Sequence, residues 1–162
     1  MRLPDLTLDQ MTPRQHEVAV EAASGKRGRM PAPLRAWIHA PEMGAHAQRL
    51  GEVLRYDTTL GPILSEMAIL MVARHWTSDY EWFVHKREAL KAGLGPDVIN
   101  SIAAYRHPEG MDDRQQVLFD YVKNCWKAAR SASRPMPVPP RPLDSKAWSS
   151  SLDCWAITLW CQ

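Results

Sequence analysis

The chain has 162 residues, enough for one domain with a real core, and its formal net charge of +2 is too small to argue for nucleic acid or a strongly acidic partner. No apolar run is long enough to span a membrane and the first residues lack a signal-peptide pattern, so a cytoplasmic protein is expected. The three cysteines, Cys125, Cys154 and Cys161, all fall late in the chain, without metal-type spacing. Neither a disulfide framework nor a metal site is expected, and the chemistry developed below needs no organic cofactor.

In chain order, Thr12-Pro13-x-Gln15 reads as a capped helix start and Gly25 as its stop. The loop Lys26-Arg-Gly-Arg-Met-Pro31 is basic. A solvated loop is the plain reading, and Arg29 is its candidate for holding a substrate carboxylate. A short helix is expected over 33–39. Pro41 opens another, with Met43, Ala47, Leu50 and Leu54 on one side. Pro62 opens a helix whose apolar residues, Ile63 to Val72, cover most of the circumference, the mark of a central, buried element. The next helix starts at Ser78 and ends near Gly93, and Gly95-Pro96 starts a short one toward Ala104. Asp112-x-x-Gln115 opens the last, with Val117, Leu118, Tyr121 and Val122 as its apolar side. Strand signals are almost absent. The fold class is therefore all-α, a domain over residues 1–130 built on a central antiparallel helix hairpin, 62–76 against 79–92.

That hairpin carries the chemistry. Glu66 is a lone acid in an apolar helix, where it must be paired, protonated or turned to a cavity. Glu81 and His85 are four residues apart and share a face. Folding one helix back on the other brings two carboxylates and an imidazole to one spot, a kit for moving protons near neutral pH. Plainer readings stand beside this one. Ser78-x-x-Glu81 is also a capping box, and His85 alone suits a satisfied core histidine. Arg74 either pairs with Glu66, the favoured reading, or reaches a substrate carboxylate. Tyr80 is a candidate substrate contact, although both it and Trp82 suit packing.

The order Glu66, Ser78, Glu81, His85 resembles the carboxymuconolactone decarboxylase family, which includes the alkylhydroperoxidase D-like proteins. In the peroxidase branch a glutamate precedes a Cys-x-x-Cys pair and a histidine follows it. Here the cysteine positions fall on Ser78 and Glu81, and Tyr80-Glu81-Trp82-x-x-His85 is similar to the decarboxylase branch. The resemblance runs from about residue 3 to 123 and includes His39-Ala-Pro-Glu42 and Ala89-Leu-Lys-Ala-Gly-Leu94. It implies an alkylhydroperoxidase D-like helical domain, assembly as a homo-oligomer (trimer or hexamer), and cofactor-free decarboxylation of a small lactone carboxylic acid from aromatic degradation. It implies catalytic roles for Glu66, Glu81 and His85. The alternatives are a peroxidase or disulfide reductase, disfavoured because the thiols are missing, and a non-catalytic helical oligomer.

After Lys123 the composition changes. Residues 131–162 hold five prolines, no glycine and three of the seven tryptophans, and read as an irregular tail. Reading the message one base earlier, Asn124-Cys125-Trp126-Lys127 must encode Leu-Leu-Glu and Asp153-Cys154-Trp155-Ala156 must encode Leu-Leu-Gly, whatever codons are used. With permissible codons the end of the chain then looks like the family's closing helix. The expectation is a single-base loss near codons 123 and 124, which resequencing the DNA tests directly. Deleting residues 131–162 should leave the thermal midpoint nearly unchanged, and restoring the frame should raise it and improve oligomerisation. A large drop on truncation with no gain on restoration would identify the tail as genuine structure.

Overall fold

The computed structural model describes residues 3–129. The irregular-tail reading of 131–162 lies outside them. All regular structure among the described residues is helical. Seven α-helices follow a short 3-10 turn at Leu8–Gln10: α1 (Pro13–Ser24), α2 (Leu34–Trp37), α3 (Pro41–Tyr56), α4 (Pro62–His75), α5 (Asp79–Ala92), α6 (Pro96–Ala103) and α7 (Asp113–Ala129). The chain forms two compact units, Met1–Asp57 and a second beginning at Thr58. No helix among the described residues is long and apolar enough to cross a membrane.

In the first unit α1 and α2 both pack on α3. Thr12 caps α1, accepting from the Gln15 N–H, while the Gln15 side chain accepts from the Thr12 N–H at 2.9 Å. Val18, Ala19, Ala22, Leu34, Ile38 and Ala45 form the core. The buried face of α3 differs from the one its large apolar residues suggest. Met43 and Leu50 are exposed, and Gly44, Ala45, Gln48, Gly51 and Leu54 are buried. Close approach explains the difference: a Cβ on Gly44 would lie 2.9 Å from the Trp37 carbonyl oxygen. Small residues thus define the face on which α2 rests. Bidentate pairs from Arg14 to Glu42 and from Arg49 to Glu21, with N–O distances of 2.5–2.8 Å, join α1 to α3 along the exposed rim.

In the second unit α4 is the central rod, and α5, α6 and α7 all pack on it. Every residue from Leu64 to Ala73 is buried. The pairings Ala73 with Ser78, Glu66 with His85 and Ile63 with Gly93 run in opposite directions along the two chains, so α4 and α5 are antiparallel. Asp112 caps α7, its Oδ1 accepting from the Gln115 N–H at 2.8 Å. Leu118, Phe119, Tyr121 and Val122 form the buried side of α7, which continues past Lys123 to bury Cys125.

The turn between α4 and α5 has a cost. The Ser78 N–H bonds the Ala73 carbonyl and the Thr77 N–H bonds the Arg74 carbonyl, closing a Schellman motif with Thr77 in the left-handed position at φ 54°. Gly93 ends α5 in the same way at φ 97°, without a Cβ to clash. Thr77 is β-branched, and left-handed backbone costs such a residue about 1–2 kcal/mol. Glycine there gives back about 0.4–1 kcal/mol through the entropy of the unfolded chain. Thr77→Gly should therefore stabilise the protein by about 0.5–1 kcal/mol. Urea unfolding measures the difference, and a lower midpoint for the variant would mean that the threonine side chain contributes more than its strain removes.

Candidate functional site

Glu66 stands in the second turn of α4 and Glu81 and His85 one turn apart on α5, so the hairpin register decides whether they meet. They do. The His85 Nδ1 lies 2.7 Å from Glu66 Oε2 and its Nε2 lies 3.2 Å from Glu81 Oε2. His85 and Glu66 are buried, their side chains 10% and 7% exposed, and Glu81 is the more open partner at 20%. The imidazole is thus gripped at both nitrogens, tightly on the inner side and more loosely on the outer.

Proton counting defines what this arrangement holds. Bearing both of its protons, the ring is a cation between two carboxylates, and the cluster then carries a net charge of −1. Burial opposes a charged imidazole, but the hydrogen bond to the Glu66 carboxylate and the nearby Glu81 carboxylate outweigh it, and His85 binds its proton more tightly than an ordinary histidine. The two carboxylates lie on opposite edges of the ring, so all three groups do not converge on one ion. No cluster of three or more His, Cys, Asp or Glu side chains suited to a metal occurs among the described residues.

The alternative roles weighed for the motif resolve into contacts. Ser78 is the N-cap of α5, but its side chain makes no capping bond. Its own N–H is spent on the Ala73 carbonyl and the Glu81 carboxylate reaches His85, which leaves no reciprocal capping box. Arg74 does not pair with Glu66. Eight helical residues place the two about 12 Å apart along the axis, and the Arg74 Nε donates to the Ala103 carbonyl at 2.7 Å. Tyr80 is exposed in the first turn of α5 and Trp82 is half-buried. Arg29 is exposed on the loop between α1 and α2 in the first unit. The sequence reading passed over Tyr105, Arg106 and Lys123, which surround a cavity beside Arg74. Their signal was available: Tyr105-Arg-His107 is a basic, aromatic run directly after a helix.

The chain matches no family model, no curated protein and no solved structure.

The raised proton affinity of His85 sets a pH dependence. The folded state binds this proton more tightly than the unfolded chain. The stabilisation is therefore complete below about pH 6.5, the ordinary imidazole value, and is lost as pH rises through the higher folded-state value. NMR titration of His85 should show a midpoint above that of a model imidazole, and Glu66→Gln should lower it. A midpoint at or below the model value would mean that burial, not the two carboxylates, controls the ring.

Proposed function

We propose that this protein is a cofactor-free acid–base enzyme acting on a small lactone or carboxylic acid, in the manner of the carboxymuconolactone decarboxylases that its central motif resembles. The observation that carries the reading is the buried imidazole of His85, hydrogen-bonded to Glu66 at one nitrogen and within ion-pair distance of Glu81 at the other. A structural histidine needs one partner. Two carboxylates instead make a charged ring the stable form, and create a proton store with a tight end and a loose end.

In a decarboxylation the bond between the ring carbon and the carboxylate breaks, carbon dioxide leaves, and the electron pair passes into an enolate. A proton must then reach that carbon. The proton on the Glu81 side is the one to leave, because its bridge is longer and its acceptor more open. Glu66 holds the other nitrogen, fixes the ring and compensates its charge, which makes it a positioning residue. An imidazolium also stabilises the enolate while it lasts. Water then returns a proton through Glu81. Thiol-based peroxidase chemistry is disfavoured by Ser78 and Glu81, which stand where that branch carries its cysteines.

On this reading Glu81→Gln and His85→Gln each lower turnover of a lactone carboxylate by about a hundredfold or more, the usual scale for losing acid–base catalysis. Glutamine is preferred to alanine at 85. An emptied site would leave Glu66 buried without this partner, at a cost of about 3–5 kcal/mol. Thermal melts identify variants that have merely unfolded. Wild-type rates in both folded variants, or no turnover by the wild type across a panel of lactone acids, would remove the cluster from catalysis and leave it as a stabilising bridge.

A further inference from the structure

A second feature lies at the other end of α4. A cavity of about 310 Å³ opens between the C-terminal ends of α4 and α6 and one face of α7. Glu66, Glu81 and His85 do not line it. Its lining instead combines three cations, Arg74, Arg106 and Lys123, with aromatic rings, and includes no carboxylate among the described residues. Its volume is at the lower end of the range of about 300–1,000 Å³ usual for ligand pockets.

Among the described residues these cations have no carboxylate partner. Arg74 is half-buried. Its Nε is fixed on the Ala103 carbonyl and its guanidinium lies over the Tyr105 ring, 4.1 Å from the centroid. Tyr105 is itself locked, with φ 56° and its hydroxyl donating to the Arg74 carbonyl at 2.9 Å. The remaining N–H groups of Arg74 have no partner among the described residues, and neither Arg106 nor Lys123 is ion-paired there. The contrast with the first unit is sharp: Arg14, Lys26, Arg35 and Arg49 each have a carboxylate. Three like charges around one hollow raise the local positive potential, and the half-buried Arg74 guanidinium is less screened by water than the exposed Arg106 and Lys123. The walls decide what kind of anion. Phe119 is buried, and Trp126 stacks on His75 at 4.2 Å with the planes 10° apart. The buried indole N–H of Trp126 has no acceptor among the described residues.

The geometry points to a binding site for a small organic anion with a flat, apolar body and one carboxylate, distinct from the glutamate–histidine cluster. The carboxylate takes the free N–H groups of Arg74 in a bidentate pair, with Arg106 and Lys123 adding charge. The ring lies against the aromatic wall. Only Trp126 among these residues follows Lys123, so the cationic part of the site does not depend on how the tail is read.

Calorimetric titration of the full chain tests this, with benzoate as the probe, benzyl alcohol as ring without charge, and inorganic phosphate as charge without ring. Benzoate should bind once per chain and at least tenfold more tightly than either control. Arg106→Gln and Lys123→Gln, both at exposed positions where folding is not at risk, should each weaken it by about tenfold. Arg87→Gln, an exposed arginine that does not line the cavity, should leave it unchanged. Absence of saturable benzoate binding, phosphate binding as tight as benzoate, or affinity unchanged in both cavity variants would overturn the assignment. So would benzoate binding that Glu81→Gln weakens and the cavity variants do not, which would place the probe at the other site.

Discussion

The bond between Glu66 and His85 is the constraint on which the second unit depends. A carboxylate buried in an apolar helix is tolerable only if a donor is delivered to it inside the core. That donor comes from α5, so the turn after α4, its handedness and the pairing of the two helices must all be right. A slip of one residue along α5 would turn the imidazole by about 100° away from Glu66. The Schellman closure at Thr77 fixes that pairing, since the Ser78 and Thr77 N–H groups lock onto α4 carbonyls. A left-handed threonine is the local concession that delivers His85 to its place.

The second bond, to Glu81, changes the meaning of the first. One carboxylate and a neutral histidine would form a quiet buried pair. Adding Glu81 makes the doubly protonated ring the better-bonded state and leaves one bridge near solvent. The asymmetry of 2.7 against 3.2 Å, with the more exposed partner at the longer contact, is what the proposed direction of proton transfer rests on. The proposed acid–base role rests on that asymmetry more than on the presence of the three residue types.

Most helix boundaries were legible because punctuation and periodicity agreed. Thr12 with Gln15, Asp112 with Gln115, the prolines at 41, 62 and 96 and the glycine at 93 mark their helices within a residue or two. The meeting of Glu66 with His85 followed from spacing on two helices joined by a short turn. What stayed hidden was set by tertiary packing. The inner face of α3 is chosen by Gly44, where a carbonyl passes too close for any side chain, so the larger Met43 and Leu50 turn outward. Glu81 had two local partners within reach, the N-cap amide and His85. Its choice depended on Ser78 spending its N–H on Ala73, a contact no pattern along α5 reveals. The left-handed residues Thr77 and Tyr105 are types that normally avoid that region, so no glycine signalled those turns.

The two ends of α4 are electrostatically opposite, and the helix itself favours that arrangement. Arg74 occupies its last turn, where a cation suits the helix dipole, and Glu66 stands in the second turn, toward the N-terminal half. The glutamate–histidine cluster, with a net charge of −1 when the ring is charged, would repel an incoming carboxylate, whereas the cations around the second cavity, without carboxylate partners among the described residues, would attract one. For the proposed decarboxylation the repulsion is not a defect. The substrate's charge leaves its carboxyl carbon as neutral carbon dioxide and moves onto an enolate that the imidazolium can meet. An unfavourable contact in the bound substrate is thereby relieved along the reaction, and a favourable one is gained, which is the differential binding that acceleration requires. An enzyme that merely bound carboxylates would place its cations where the acid goes. Here they stand at the far end of α4, and on the proposed reading His85 and Glu81 would give up a proton instead.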